Sequence, residues 1–242
     1  MWKGKRVLAV VPARSGSKGV TDKNMRLLGG VSLIGRTGMV LGELDYLDAR
    51  VISTDSARYA EEGERYGLAA PFLRPGRLSG DDSGIIETMR HAITESEAHY
   101  SMRFDIVLII EPTSPMRVAE DVTGATRLLL DSGADSVATM TRVPIKYHPD
   151  KLLVERDGKL GFYTETGRSI VGRQMLSAGP LYKNGLCYSV TRECIMDRGA
   201  VFTDNTLALV IERDVVNVDD ERELAWAEML LDSDPGTGPD GF

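Results

Sequence analysis

RVLAVVPARSGSKG, residues 6–19, decides the fold. Its first half is a nearly unbroken apolar run rich in valine, whose branched side chains suit a pleated backbone. Because no polar residue alternates through it, the run fits a strand covered on both faces, as in a parallel sheet. Its second half turns to glycine, serine and cations. In open α/β sheets ligands bind beyond the carboxyl ends of the strands, so a basic, glycine-bearing loop in that place is the first candidate site.

Similar runs recur at residues 49–53 (ARVIS), 105–110 (DIVLII), 136–140 (SVATM), 185–190 (GLCYSV) and 207–211 (LALVI). Helical patterns separate the first four, at residues 32–44, 56–66, 85–96 and 119–130, and another closes the chain at 220–231. In 85–96, Ile85, Ile86, Met89, Ala92 and Ile93 share one face, expected to pack on the core. Strands alternating with helices predict an α/β fold with a doubly wound, mostly parallel sheet joined by right-handed crossovers. Residues 143–188 break the rhythm, being richer in Pro, Gly, Tyr and Lys, with strand candidates around Leu152 and Phe162; they read as an inserted subdomain. The organisation expected is one domain over residues 1–231 and a disordered acidic Pro/Gly tail at 232–242.

The formal charge of -7 disfavours nucleic-acid or anionic-membrane binding, which need a broad basic surface. Within residues 1–26, however, Lys3, Lys5, Arg6, Arg14, Lys18, Lys23 and Arg26 face a single acid, Asp22. Such segregation suggests a local anion site. RSGSKG is neither GxGxxG nor GxxxxGK[ST]. It still offers what a triphosphate needs: glycines that let backbone N–H groups approach, Arg14 for a two-pronged phosphate contact, Lys18 and Lys23 as point charges, and the amide of Asn24. Cys187 and Cys194 are too far apart for a CxxC motif and have no histidine partners, so they read as buried thiols of a reducing compartment. Neither a secretory leader nor an apolar run long enough to span a bilayer is evident, and a cytoplasmic location is expected.

Residues 12–19 (PARSGSKG), closely followed by Lys23-Asn24, resemble the opening motif of the CMP-sialic acid synthetases, the acylneuraminate cytidylyltransferases that activate sialic, legionaminic, pseudaminic and related 2-keto-3-deoxy sugars. The resemblance continues through STDS (53–56), AEEGERYG (60–67), FLRP (72–75), PTSPMR (112–117), KNG (183–185) and VNVDDEREL (216–224). It implies a nucleotide-diphospho-sugar transferase-like fold and a homodimer formed through residues 143–188. It also implies transfer of CMP from CTP, with Mg²⁺, to an acidic sugar, and release of pyrophosphate. Arg14, Lys18 and Lys23 would neutralise the triphosphate, and Ala13, Ser15, Gly16, Asn24, Arg74 and Ser83 would complete the nucleotide site. Glu111, Pro112, Thr113, Ser114, Lys151, Arg173, Gln174 and Tyr188 fall where the family meets the sugar.

Three positions depart from the family pattern. Asn217 and Asp219 stand where relatives carry the two aspartates that bind Mg²⁺, Glu111 replaces a glutamine, and Gly84-Ile85 replaces a serine pair that reads cytosine. Glu111 either restores the carboxylate near the metal or meets a donor group on the acceptor. Two further functional readings stay open: a nucleotidyltransferase of this fold with another base or acceptor (GTP with a sugar 1-phosphate, or CTP with a phosphonate), and a catalytically degenerate nucleotide-sugar binding module.

Overall fold

Strand β1 (Val7–Pro12) lies at the centre of the molecule, and successive side chains enter opposite layers. Val7, Ala9 and Val11 pack with Ile34, Tyr59 and Val122, whereas Leu8 and Val10 pack with Met89, Ala92 and Ile93. This two-residue period, with every position apolar, makes the run a doubly covered strand. The structure, a computed structural model, describes residues 1–16, 21–80, 83–170, 172, 174, 176 and 179–233.

A short hairpin, β2 (Leu27–Leu28) and β3 (Val31–Ser32), leads into helix α1 (Leu33–Gly42). There follow β4 (Ala49–Ser53), α2 (Ala57–Arg65), α3 (Ile85–Tyr100), β5 (Ile106–Ile109), α4 (Ala119–Ser132) and β6 (Ser136–Arg142). A two-stranded ribbon, β7 (Leu153–Arg156) and β8 (Lys159–Phe162), precedes β9 (Leu181–Thr191), β10 (Thr206–Val210) and α5 (Glu221–Ser233). Helix starts follow local chemistry: Ser32 and Ser56 cap α1 and α2 by accepting from the Gly35 and Tyr59 amides. The glycines of α1 have a packing reason, since a Cβ at Gly38 would lie 2.4 Å from the Tyr66 carbonyl oxygen.

The six-stranded sheet runs β10-β6-β9-β5-β1-β4 and bears out the doubly wound, mostly parallel arrangement. α1, α2 and α4 cover one face and α3 the other. Strand β9 alone is antiparallel, to both β5 and β6. Its direction follows from connectivity. β6 ends at the carboxyl edge of the sheet with Arg142, and β9 begins beside it with Leu181, so the chain re-enters running backwards. A π-turn at Cys194–Arg198 then returns it for β10, parallel to β6.

Ile85 departs from expectation: Met89, Ala92 and Ile93 are fully buried, but Ile85 is 42% exposed. It begins α3, where the helix projects past the sheet edge, so it lines open chambers instead of the core. α5 continues through Ser233, so the first two residues of the expected tail are helical; 234–242 lie outside the described residues.

Candidate active site

Beyond the carboxyl ends of β1, β4 and β5 opens a chamber of about 420 Å³. Pro12, Arg14, Lys23 and Asn24 supply one wall from the loop after β1; Arg74, Ser83, Ile85 and Thr88 supply a second; Glu111, Pro112, Thr113 and Asp219 close it.

The β1 loop is anchored from behind. Ala13 N–H donates to the Ser53 carbonyl at 3.0 Å, and the amide and hydroxyl of Ser15 donate to the Asp55 carboxylate at 2.8 and 2.9 Å. Gly16 follows at φ +39. Asp22, in a left-handed conformation, accepts from Arg58 and the Tyr59 hydroxyl and starts the 3-10 turn Lys23–Met25. That turn sets Asn24 beneath the loop, where its Nδ2 donates to the Arg14 carbonyl at 3.2 Å. Lys23 Nζ reaches Asp219 Oδ1 at 2.7 Å.

Asp219 is free for this because its neighbour does the capping. Asp220 Oδ1 accepts from the Glu223 amide while Glu223 Oε2 accepts from the Asp220 amide, the reciprocal pair that begins α5. Val216 and Val218 bury themselves against α5 and the β2–β3 hairpin, so alternation turns Asn217 and Asp219 to the other side. The Val218 amide donates to the Thr113 carbonyl at 2.6 Å and ties this segment to the loop after β5.

Several polar atoms are buried without a partner among the described residues: Nε and Nη2 of Arg74, Oδ1 of Asn24 and Oδ1 of Asn217. Leaving such groups unpaired costs about 1–3 kcal/mol each; at the chamber wall the Arg74 donors suit an anionic ligand, and the oxygens of Asn24 and Asn217 suit a donor or a cation. Burial lowers the Arg74 pKa, opposed by the Asp55 charge and assisted by Arg14. Asp55 is itself held below the usual carboxylate range: burial pushes it up, but the Ser15 hydrogen bonds and Arg74 outweigh that.

A second chamber, of about 500 Å³, shares Ile85 and Glu111 with the first. Tyr188 stands in it, 6% exposed, with Phe202 edge-on at 5.9 Å between centroids. Burial raises the Tyr188 pKa, with the Glu111 charge adding to the effect. Burial also pushes Glu111 upward, as does Asp219, against the opposing charges of Arg117, Lys183 and Lys23.

The Glu111 backbone is fixed by Arg117, which is wholly buried and donates to the carbonyls of Glu111, Gly185 and Leu186. Burial lowers its pKa to about 10. Ser114, also fully buried, donates to the Asn184 carbonyl at 2.8 Å. Gly185 occupies the bulge of β9 at φ +71; a Cβ there would lie 2.4 Å from both Glu111 Oε2 and Ser114 Oγ.

Of the residues singled out from sequence, Arg14, Lys23, Asn24, Arg74, Ser83, Glu111, Pro112, Thr113 and Asp219 line the first chamber and Tyr188 the second. Ala13, Ser15 and Ser114 are framework. Lys151 and Gln174 are exposed on the 143–180 excursion and line neither chamber. Lys18 and Arg173 lie outside the described residues. Asp55, Thr88, Lys183, Arg117 and Phe202 were missed. STDS, PTSPMR and KNG contain three of them, but only the three-dimensional arrangement separates their roles.

A family model described as cytidylyltransferase matches residues 8–168. The CMP-N,N'-diacetyllegionaminic acid synthase of Legionella pneumophila subsp. pneumophila is 30% identical over 224 residues, covering 92% of this chain and 94% of that protein. The N-acylneuraminate cytidylyltransferase of Escherichia coli O18:K1:H7 is 31% identical over 123 residues, 51% of this chain and 28% of its own. Among solved structures, a CMP:2-keto-3-deoxy-manno-octonic acid synthetase complexed with CTP superposes with a TM-score of 0.69 at 14% identity, covering 94% of this chain and 99% of that one. The 4-diphosphocytidyl-2C-methyl-D-erythritol synthase of Anaerococcus prevotii gives 0.63 at 12% identity, with 95% and 97% covered. The fold is therefore that of the nucleotide-diphospho-sugar transferases, and the chain belongs to the cytidylyltransferase family.

Proposed function

We propose that this protein is a CMP-sugar synthetase that joins CMP from CTP to a nonulosonic acid, a sialic or legionaminic acid, and releases pyrophosphate. The observation that carries the reading is the first chamber, where Arg14, Lys23 and the unpartnered donors of Arg74 converge on space for a triphosphate in a chain of net negative charge. An oxygen of the acceptor's anomeric hydroxyl attacks the α-phosphorus. The new P–O bond forms as the bond to the β-phosphate oxygen breaks, and the hydroxyl proton departs with pyrophosphate. No protein nucleophile is needed: the work is positioning and charge neutralisation. Arg14 and Lys23 neutralise phosphate oxygens, Arg74 supplies buried donors, and the Ser15–Asp55 anchor holds the loop in place.

The donor set fits Mg²⁺: Asp219 brings a carboxylate and Asn217 an orphaned carbonyl oxygen. When bound there the ion would screen the triphosphate charge. With few protein ligands, Mg²⁺ would keep water and take oxygens from the triphosphate.

On the same reading, residues 1–231 act as one catalytic domain in the cytoplasm and residues 143–188 pair two copies into a homodimer. The exposed side chains of Leu153, Leu160, Phe162 and Tyr163 on that segment support the pairing. Among the described residues no helix is long and apolar enough to cross a membrane. A thermal shift with each nucleoside triphosphate and Mg²⁺ tests the nucleotide: CTP should stabilise the protein most, and stabilisation by GTP but not CTP would overturn the choice of base.

A further inference from the structure

The second chamber has two charged side chains, Glu111 and Lys183, in an otherwise largely apolar wall that includes Ile85, Tyr188 and Phe202. Glu111 and Ile85 belong to both chambers, so a molecule seated in the second meets the nucleotide past them. Among the described residues no donor hydrogen-bonds the Glu111 carboxylate. Arg117 and the Ser114 amide both bond its backbone carbonyl instead. Gly185 keeps the space beside Oε2 open, because any larger residue would overlap it. Lys183 does not neutralise Glu111 by an ion pair; its Nζ lies 5.8 Å from the Phe202 ring centroid.

A carboxylate held by its backbone, half-buried beside apolar walls and bonded by no donor among the described residues is stabilised best by a ligand that brings both charge and N–H groups. A hydroxyl would bring one neutral hydrogen bond and add no charge to the attraction that Arg117, Lys183 and Lys23 already exert. We infer that Glu111 selects an acceptor bearing a cationic nitrogen, an amine or amidine, with its alkyl part against Ile85 and Phe202. Lys183 is then left for the acceptor's own carboxylate. The assignment rests on the proposed synthetase reaction and names the acceptor class for that same site.

The test uses two nonulosonic acids of one skeleton, differing only in an acetamido against an amino or acetamidino group at the same carbon. Pyrophosphate release at saturating CTP gives kcat/KM for each with the wild type and with Glu111→Gln. The wild type should favour the cationic acceptor by about 10- to 100-fold, the worth of a charge-assisted hydrogen bond, and the variant should approach parity. A wild type that prefers the acetamido acceptor, or a variant that keeps the wild-type ratio, overturns the assignment. So does a variant that shifts only the Mg²⁺ half-saturation, which would place Glu111 in the metal site. Absence of turnover with either acceptor overturns the proposed reaction itself. Should the variant fail to fold, which CTP-dependent thermal stabilisation reports, the wild-type ratio alone decides.

Discussion

Lys23 Nζ lies 2.7 Å from Asp219 Oδ1, an ion pair that joins residues 196 positions apart at the first chamber. Lys23 is largely buried and Asp219 largely exposed. Before nucleotide binds, each charge compensates the other. On the proposed reaction, a triphosphate would offer the cation a stronger partner and leave the carboxylate for a metal.

Removing the cation while keeping the stem, Lys23→Met, should therefore lower turnover by about 10²- to 10³-fold, the loss expected for one preorganised charge facing the reacting phosphate. Stability should change by only about 0.5 kcal/mol, because the partner Asp219 remains hydrated. Steady-state pyrophosphate release and urea denaturation measure the two. A large stability loss with unchanged turnover would make the pair structural.

Arg74 presents the opposite balance. It is buried, its Nε and Nη2 have no partner among the described residues, and burial disfavours its charge. Arg74→Met should change the stability of the unliganded protein little, since relief of a buried charge is offset by loss of its attraction to Asp55. CTP affinity should fall by about 10- to 100-fold. Calorimetric titration alongside a melting curve would show both; equal affinity in the variant would remove Arg74 from the nucleotide site.

Gly185→Ala combines a left-handed backbone with overlap against Glu111 and Ser114. A destabilisation of about 1–3 kcal/mol is expected from the backbone and the displaced side chains. Because Glu111 must swing away, KM for the acceptor should rise more than KM for CTP. Parallel increases in both would point to general damage.

The raised pKa of Glu111 carries a sign. A carboxyl that binds its proton more tightly when folded favours the native state at low pH. That contribution is lost as pH rises from the unfolded value, about 4.3, through the higher folded one. Glu111→Gln should thus melt above the wild type near neutral pH in metal-free buffer, and the gap should close as pH falls toward 4.3. A gap that widens on acidification would mean that Glu111 is stabilised as an anion.

The sheet was legible because its strands are short and almost wholly apolar: ARVIS maps onto β4 residue for residue, and RVLAVVPA exceeds β1 by one residue at each end. The loop after β1 was legible as a cluster of cations in an acidic chain. The reversal of β9 was not, since strand direction depends on where a long excursion lets the chain return. Ile85 misled because its helical face is apolar, while exposure is set by how far α3 extends beyond the sheet. Asp55 and Arg117 were hidden for a different reason: each works through backbone or a neighbour, and spacing carries no trace of a partner 40 or 69 residues distant.

The proposed synthetase passes CMP from CTP to an acidic sugar in the first chamber. Mass spectrometry of a reaction containing enzyme, CTP, Mg²⁺ and a panel of nonulosonic acids, with pyrophosphate measured in parallel, tests it most directly. A CMP-sugar in one-to-one yield with pyrophosphate is expected, abolished when CTP is replaced by GTP. Free CMP without conjugate, or no consumption of CTP with any acceptor, would contradict it.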